Sequence, residues 1–170
     1  MRMGAEGEAD VRACMTAERE EDMRANMTES LRQAVQLLQE QTLTCVAYKD
    51  GEVLSSAQRG VKPLLDFIEQ GVSLAGFSVA DKVVGKAAAY LYVLLEAKEV
   101  YAEVLSEQAL GVLQRFDTPV TYGTLVPKIR NRDNTGYCPM ESAVMAIDSP
   151  DEALDAIRGK YAELTKGNNK

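Results

Sequence analysis

Gly76-Phe77-Ser78-Val79-Ala80-Asp81-Lys82-Val83-Val84-Gly85-Lys86-Ala87-Ala88-Ala89-Tyr90-Leu91-Tyr92-Val93-Leu94-Leu95 is the stretch from which the architecture follows. Residues 76–80 are too few for a helix and read as a short buried strand. Asp81 reads as an N-cap, because a carboxylate there accepts from the free backbone N–H groups of a first helical turn. The pattern then predicts a helix over 82–95, in which the run from Val83 onward carries only one charge, Lys86. A helix that is apolar nearly all round is buried on most faces. Gly85 costs such a helix about 1 kcal/mol relative to Ala, so a packing or ligand reason is expected for it. Lys86 reads either as a solvated side chain or as one pointing into a cleft at the helix start. The uncharged part, 87–95, is far short of the roughly 18–20 residues of a membrane span. Gly85-Lys86 is not the end of a phosphate-binding P-loop, because Ala87 follows where Ser or Thr is needed.

Working outward, 170 residues point to one domain with an appendage. The net charge of −7 argues against nucleic-acid binding, which relies on basic surface. Cys14, Cys45 and Cys138 are widely spaced, and with no secretory segment a reduced, cytoplasmic setting is expected. The chain has no histidine, which removes the commonest general base and the commonest metal ligand together. Residues 1–27 hold seven acidic residues and four arginines among small apolar ones, and read as a flexible acidic appendage. A single α/β domain is expected over 28–165, and a frayed tail over 166–170.

Within the domain, 28–41 reads as a helix with Leu31, Ala34, Val35 and Leu38 on one face. Two strand-like runs, 43–49 and 52–58, flank Asp50-Gly51, a two-residue hairpin signal. Cys45 falls mid-strand and reads as a buried thiol. Pro63 opens a short helix that Gly71 ends. Residues 99–105 alternate as a strand, and a strand after a long helix should lie parallel to 76–80. Ser106 caps a helix over 107–116. A short strand over 120–122, a turn of helix over 125–129, a polar loop over 130–138 and two closing helices complete the chain. The fold class is therefore α/β: a three-layer α/β/α sandwich with a mixed sheet, a hairpin beside parallel strands.

Several blocks carry a resemblance. Asp50-Gly51-Glu52-Val53, Arg59-Gly60-Val61-Lys62-Pro63-Leu64-Leu65, Ala80-Asp81-Lys82-Val83-Val84-Gly85-Lys86-Ala87-Ala88-Ala89, Val104-Leu105-Ser106-Glu107 and Asn131-Arg132-Asp133-Asn134-Thr135-Gly136-Tyr137-Cys138-Pro139-Met140-Glu141 are similar to a small prokaryotic family, domain of unknown function 1893. The likeness covers about 43–154. It implies a cytidine deaminase-like fold. In deaminases a zinc ligand and the catalytic Glu start the helix after one central strand, and two Cys ligands start the next helix. Asp81 stands where the first ligand would be, Val83 near the catalytic Glu, and residues 106–109 where Pro-Cys-x-x-Cys would be. Neither place holds Cys or His, so the implied fold does not carry zinc deamination with it. No metal and no cofactor are expected.

Site expectations follow from position. Two helix starts, at Asp81 and Ser106, should share the carboxyl edge of adjacent parallel strands, where ligands commonly bind. Asp81, Lys82, Lys86, Ser106 and Glu107 would then be neighbours, with capping and surface ion pairs as the plainer reading of the same residues. Asn131 and Arg132 of the polar loop would fold over this edge. Cys138 precedes Pro139 at a helix start and is a candidate thiol nucleophile, with a plain cap position as the other reading. Three functions are open on these grounds. The first is a zinc-free protein binding a small polar metabolite or nucleotide at the Asp81/Ser106 cleft. The second is a zinc-independent enzyme drawing on Lys86, Asp81, Glu107 or Cys138. The third is an interaction module whose buried surfaces serve homo-oligomerisation. The expected partner is a small molecule, with neither nucleic acid nor membrane involved.

Overall fold

A computed structural model describes residues 17–131 and 136–168. Its elements run α1 (Ala17–Asn26), α2 (Glu29–Glu40), β1 (Cys45–Lys49), β2 (Glu52–Ser56), α3 (Lys62–Glu69), β3 (Ser78–Val84), α4 (Lys86–Leu94), β4 (Glu99–Ser106), α5 (Glu107–Arg115), β5 (Val120–Val126), α6 (Pro139–Val144) and α7 (Pro150–Asn168). The strands form one sheet in the order β2-β1-β3-β4-β5. The hairpin lies antiparallel to its neighbour β3, whereas β3, β4 and β5 are parallel. Helices cover both faces, as the sequence predicts for an α/β sandwich with a mixed sheet.

Local chemistry sets the strongest elements. Lys49 pairs with Glu52 across the hairpin, which leaves Asp50 and Gly51 as a two-residue turn with φ of 48° and 88°. That pair of positive angles is what a type I′ turn requires. Thr28 caps α2 by accepting from the Leu31 N–H at 3.1 Å. The α2 face Leu31, Ala34, Val35 and Leu38 is buried on Val46, Ala80 and Tyr101 of the sheet. On the other face α4 is buried against Val79, Val84, Val100, Ala102 and Leu105, with α3, α5, α6 and α7 packed around it. Tyr90, Leu91 and Tyr92 of α4 are fully enclosed, so the helix is apolar because it is surrounded.

The structure corrects three boundaries. Asp81 is not a helix cap: β3 continues through it to Val84, and α4 starts at Lys86 with Gly85 as N-cap. Asp81 is held from both sides, by Cys45 and Ala102, the Lys82 N–H donates to the Thr44 carbonyl, and Val83 and Val84 pair with Val104 and Leu105 of β4. Ladder bonds on two edges, with β-branched Val83 and Val84, outweigh the capping preference of one Asp. The expected turn of helix over 125–129 is likewise strand at its start, because Leu125 and Val126 pair with Leu105 and Ser106. The tail expected to fray from 166 continues in α7 to Asn168. Of the expected appendage, 17–26 forms α1, which buries no residue, and residues 1–16 lie outside the described residues.

Candidate functional site

The parallel strands bring two helix starts to one sheet edge. Val84 pairs with Leu105 and Ser106 with Val126, and α4 and α5 leave the sheet immediately afterwards. Ser106 is fully buried, and its hydroxyl accepts from the Ala109 N–H at 3.0 Å, capping α5 from within. Gly85 at the corresponding place on α4 has no side chain to do this.

Glu141 supplies what Gly85 lacks. Its carboxylate, projected from α6, accepts from the Lys86 N–H at 2.7 Å and from the Ala87 N–H at 3.0 Å. The residue is 7% exposed. Burial raises the Glu141 carboxyl above its ordinary value, against the opposing pull of the two N–H groups and the Lys86 ammonium. A Cβ on residue 85 would stand 2.5 Å from the Glu141 carboxyl carbon, so only glycine leaves room for it. The Lys86 ammonium donates to the Met145 carbonyl at 2.9 Å and lies over the Tyr90 ring. Beside these groups is a cavity of about 10 Å³, bordered by Lys86, Gln108, Lys128, Tyr137, Glu141 and Met145. The Lys128 ammonium sits 4.5 Å from the Tyr137 ring centre. A larger groove of about 340 Å³ lies between α1 and α2, remote from the strand ends.

Asp81 belongs to a different constellation. The Tyr92 hydroxyl donates to its Oδ2 at 2.5 Å, and the Val83 N–H donates to Oδ1 at 3.1 Å. Cys45, opposite Asp81 on β1, contacts the same Tyr92 hydroxyl through its Sγ at 3.3 Å. Asp81 as a residue keeps some exposure, but protein crowds its carboxyl and desolvation raises it to about 7. The hydrogen bond from Tyr92 and those from the Val83 and Lys82 backbone pull it back down, while Glu103 pushes it further up. Burial, with the charge of Asp81, also pushes the Cys45 thiol and the Tyr92 phenol well above their usual values. The thiol is thus kept as an unreactive SH.

The expected group of neighbours therefore divides. Lys86, Ser106 and Glu107 share the strand-end edge, where Lys86 borders the cavity, Ser106 is a buried cap and Glu107 is exposed. Asp81 pairs with Ala102, whereas Val84 at the strand end pairs with Leu105, and the Asp81 carboxylate is taken up by Tyr92 under α4. Lys82 is an exposed residue of β3. Asn131 closes the base of the polar loop by donating its N–H to the Gly136 carbonyl, and Arg132 lies outside the described residues. Cys138 holds the N-cap position of α6 without capping it through its side chain, and packs half-buried against the core. Gln108, Lys128, Tyr137 and Glu141 of the cavity had no place in the sequence-derived site. The signal that pointed there was Gly85, whose unexplained cost is accounted for by the Glu141 carboxylate.

The donor set does not fit a deaminase zinc. The starts of α4 and α5 present Gly85, Lys86, Ala87, Ser106, Glu107 and Gln108, none of them Cys or His. Among the described residues, no three Cys, Asp or Glu side chains are grouped to hold a metal ion. Among the same residues, no helix is long and apolar enough to cross a membrane.

Fold and site together define an α/β protein with a mixed five-stranded sheet and a small polar cleft at the carboxyl ends of its parallel strands. Residues 33–161 match the family described as Domain of unknown function (DUF1893), and the chain belongs to that family. It is similar to the solved structure of a DUF1893 family protein (TM1506) from Thermotoga maritima, at 27% identity and a TM-score of 0.74. That match covers 79% of this chain and 92% of the other. A dCMP deaminase from the cyanophage S-TIM5 matches at 14% identity and a TM-score of 0.40, over 64% of this chain and 99% of that one, too weakly to carry an assignment. No curated protein matches the chain.

Proposed function

We propose that the chain is a zinc-independent binding protein for a small polar metabolite, a nucleotide or smaller, which it takes up at the strand-end cleft. One observation carries the reading. Lys86 of α4, Gln108 of α5 and Lys128 of the segment after β5 converge on one cavity, and neither the Gln108 amide nor the Lys128 ammonium has a hydrogen-bond acceptor among the described residues. An amide and an ammonium with no hydrogen-bond acceptor among the described residues, gathered at parallel strand ends, are groups a ligand would satisfy. Two lysines there also set a local positive charge on a chain of net charge −7. Binding is favoured over turnover because Glu141 is committed to two backbone N–H groups and Lys86 to a carbonyl. While so engaged, neither is placed to move a proton to or from a guest.

The test is thermal stability against a panel of nucleosides, nucleotides and small metabolites, with zinc and a chelator as separate arms. A ligand at about 100 times its dissociation constant stabilises by about 2.7 kcal/mol. The effect should vanish in Lys128→Ala and weaken in Gln108→Ala. A flat panel, or a hit indifferent to both substitutions, would overturn the reading. Stabilisation by zinc that the chelator reverses would overturn its zinc independence.

A further inference from the structure

We propose that the ligand carries an oxyanion, a phosphate or a carboxylate, and that it binds by displacing Glu141 from the start of α4. Glu141 is then the built-in competitor of the cleft, and its release is the opening step. This inference rests on the cleft being the binding site and adds the chemical class of the ligand and the group it replaces.

The cavity volume of about 10 Å³ is that of a single water-sized sphere, so any larger guest must move a wall. The walls are not equally fixed. Lys86 and Gln108 stand in the first turns of α4 and α5, and Lys128 follows the end of β5, all anchored on the sheet. Helix α6 is itself packed into the core through Met140 and Val144, so what differs is the side chain it projects: Glu141 meets the start of α4 through two hydrogen bonds to N–H groups and nothing covalent or apolar fixes its carboxylate there. Displacing Glu141 enlarges the cavity and frees two backbone donors on its border.

Charge decides what enters. The start of α4 holds one negative group against the Lys86 ammonium, and a second anion beside Glu141 would be repelled in a poorly solvated space. An entering oxyanion that takes over the Lys86 and Ala87 N–H groups leaves that charge unchanged. It also gains Lys128 and Gln108, which have no hydrogen-bond acceptor among the described residues. A neutral guest could accept from the two N–H groups but would not replace the negative charge that Glu141 sets against the Lys86 ammonium. Gly85 completes the case, since the space over the helix start is shaped for an oxygen pair with no Cβ beneath it.

The experiment uses the full chain, with inorganic phosphate and succinate as separate probes in calorimetric titration. Glu141→Ala should bind at least one probe about tenfold more tightly than the unaltered chain, because the competitor is gone. The probe that gains identifies the oxyanion. In Glu141→Ala/Lys128→Ala that gain should be lost. No gain in Glu141→Ala for either probe, or a gain that survives loss of Lys128, overturns the inference. Should Glu141→Ala fail to fold, amide spectra of the unaltered chain serve in its place: the Lys86 and Ala87 N–H resonances should shift on titration, and unmoved resonances at saturation would overturn it. A panel metabolite that binds through Lys128 while those two amides stay unmoved would defeat the displacement and leave the binding reading standing.

Discussion

Gly85 is set by its neighbour and not by its own backbone. Its φ of −101° is open to any residue, yet an added Cβ would collide with the Glu141 carboxyl group. Gly85→Ala should therefore expel the carboxylate and remove two hydrogen bonds to a charged acceptor, a loss of about 2–4 kcal/mol. In a Glu141→Ala background the same substitution should cost under about 1 kcal/mol, since nothing is left to collide with. Urea unfolding of the four proteins measures the difference, and equal costs in both backgrounds would contradict the account. The sequence shows that a glycine stands where it weakens a helix. It does not show why, because the partner lies 55 residues beyond Lys86 and reaches α4 only when α6 folds back onto it.

Among the elements, the β3–α4 junction is where local preference and tertiary pairing disagree. Asp81 has the chemistry of a cap, but sheet partners on both sides keep it in strand and pass the cap position to Gly85. The β4–α5 junction shows the two in agreement: Ser106 ends the strand and caps the helix as its sequence suggests. Ser106→Ala should cost about 1–2 kcal/mol, the upper part of the usual range for a cap, because its hydroxyl is fully buried. A stability change near zero in chemical denaturation would show that the Ala109 N–H finds another acceptor. The hairpin was legible because Asp50-Gly51 needs no distant residue to form its turn. The second half of β5 was not, since a short apolar run such as Leu125-Val126 suits helix or strand until a neighbour pairs with it.

For the whole molecule, Asp81 makes stability depend on pH. Its carboxyl is raised to about 7 in the fold, whereas an unfolded chain would ionise it near the usual value of about 3.9. Between those values the folded state holds the extra proton, so the stability Asp81 contributes is fully present below about pH 4 and is lost as the pH rises through about 7. Glu141, also raised, contributes with the same sign. Asp81→Asn should flatten the fall by up to about 1.4 kcal/mol per pH unit, the contribution of one proton. Urea midpoints across that window test it, and parallel slopes for the two proteins would show that Asp81 is ionised throughout. The sequence by itself determined the α/β class, the hairpin, the buried faces of α2 and α4, and the absence of histidine, because each depends on residues near one another in the chain or on composition. Only the tertiary structure decided that Asp81 lies against Tyr92 and Cys45 within the sheet, and that Glu141, Lys128 and Gln108 meet at the start of α4. These contacts join segments far apart in the chain, and their energies exist only once the sheet has fixed the distances between them.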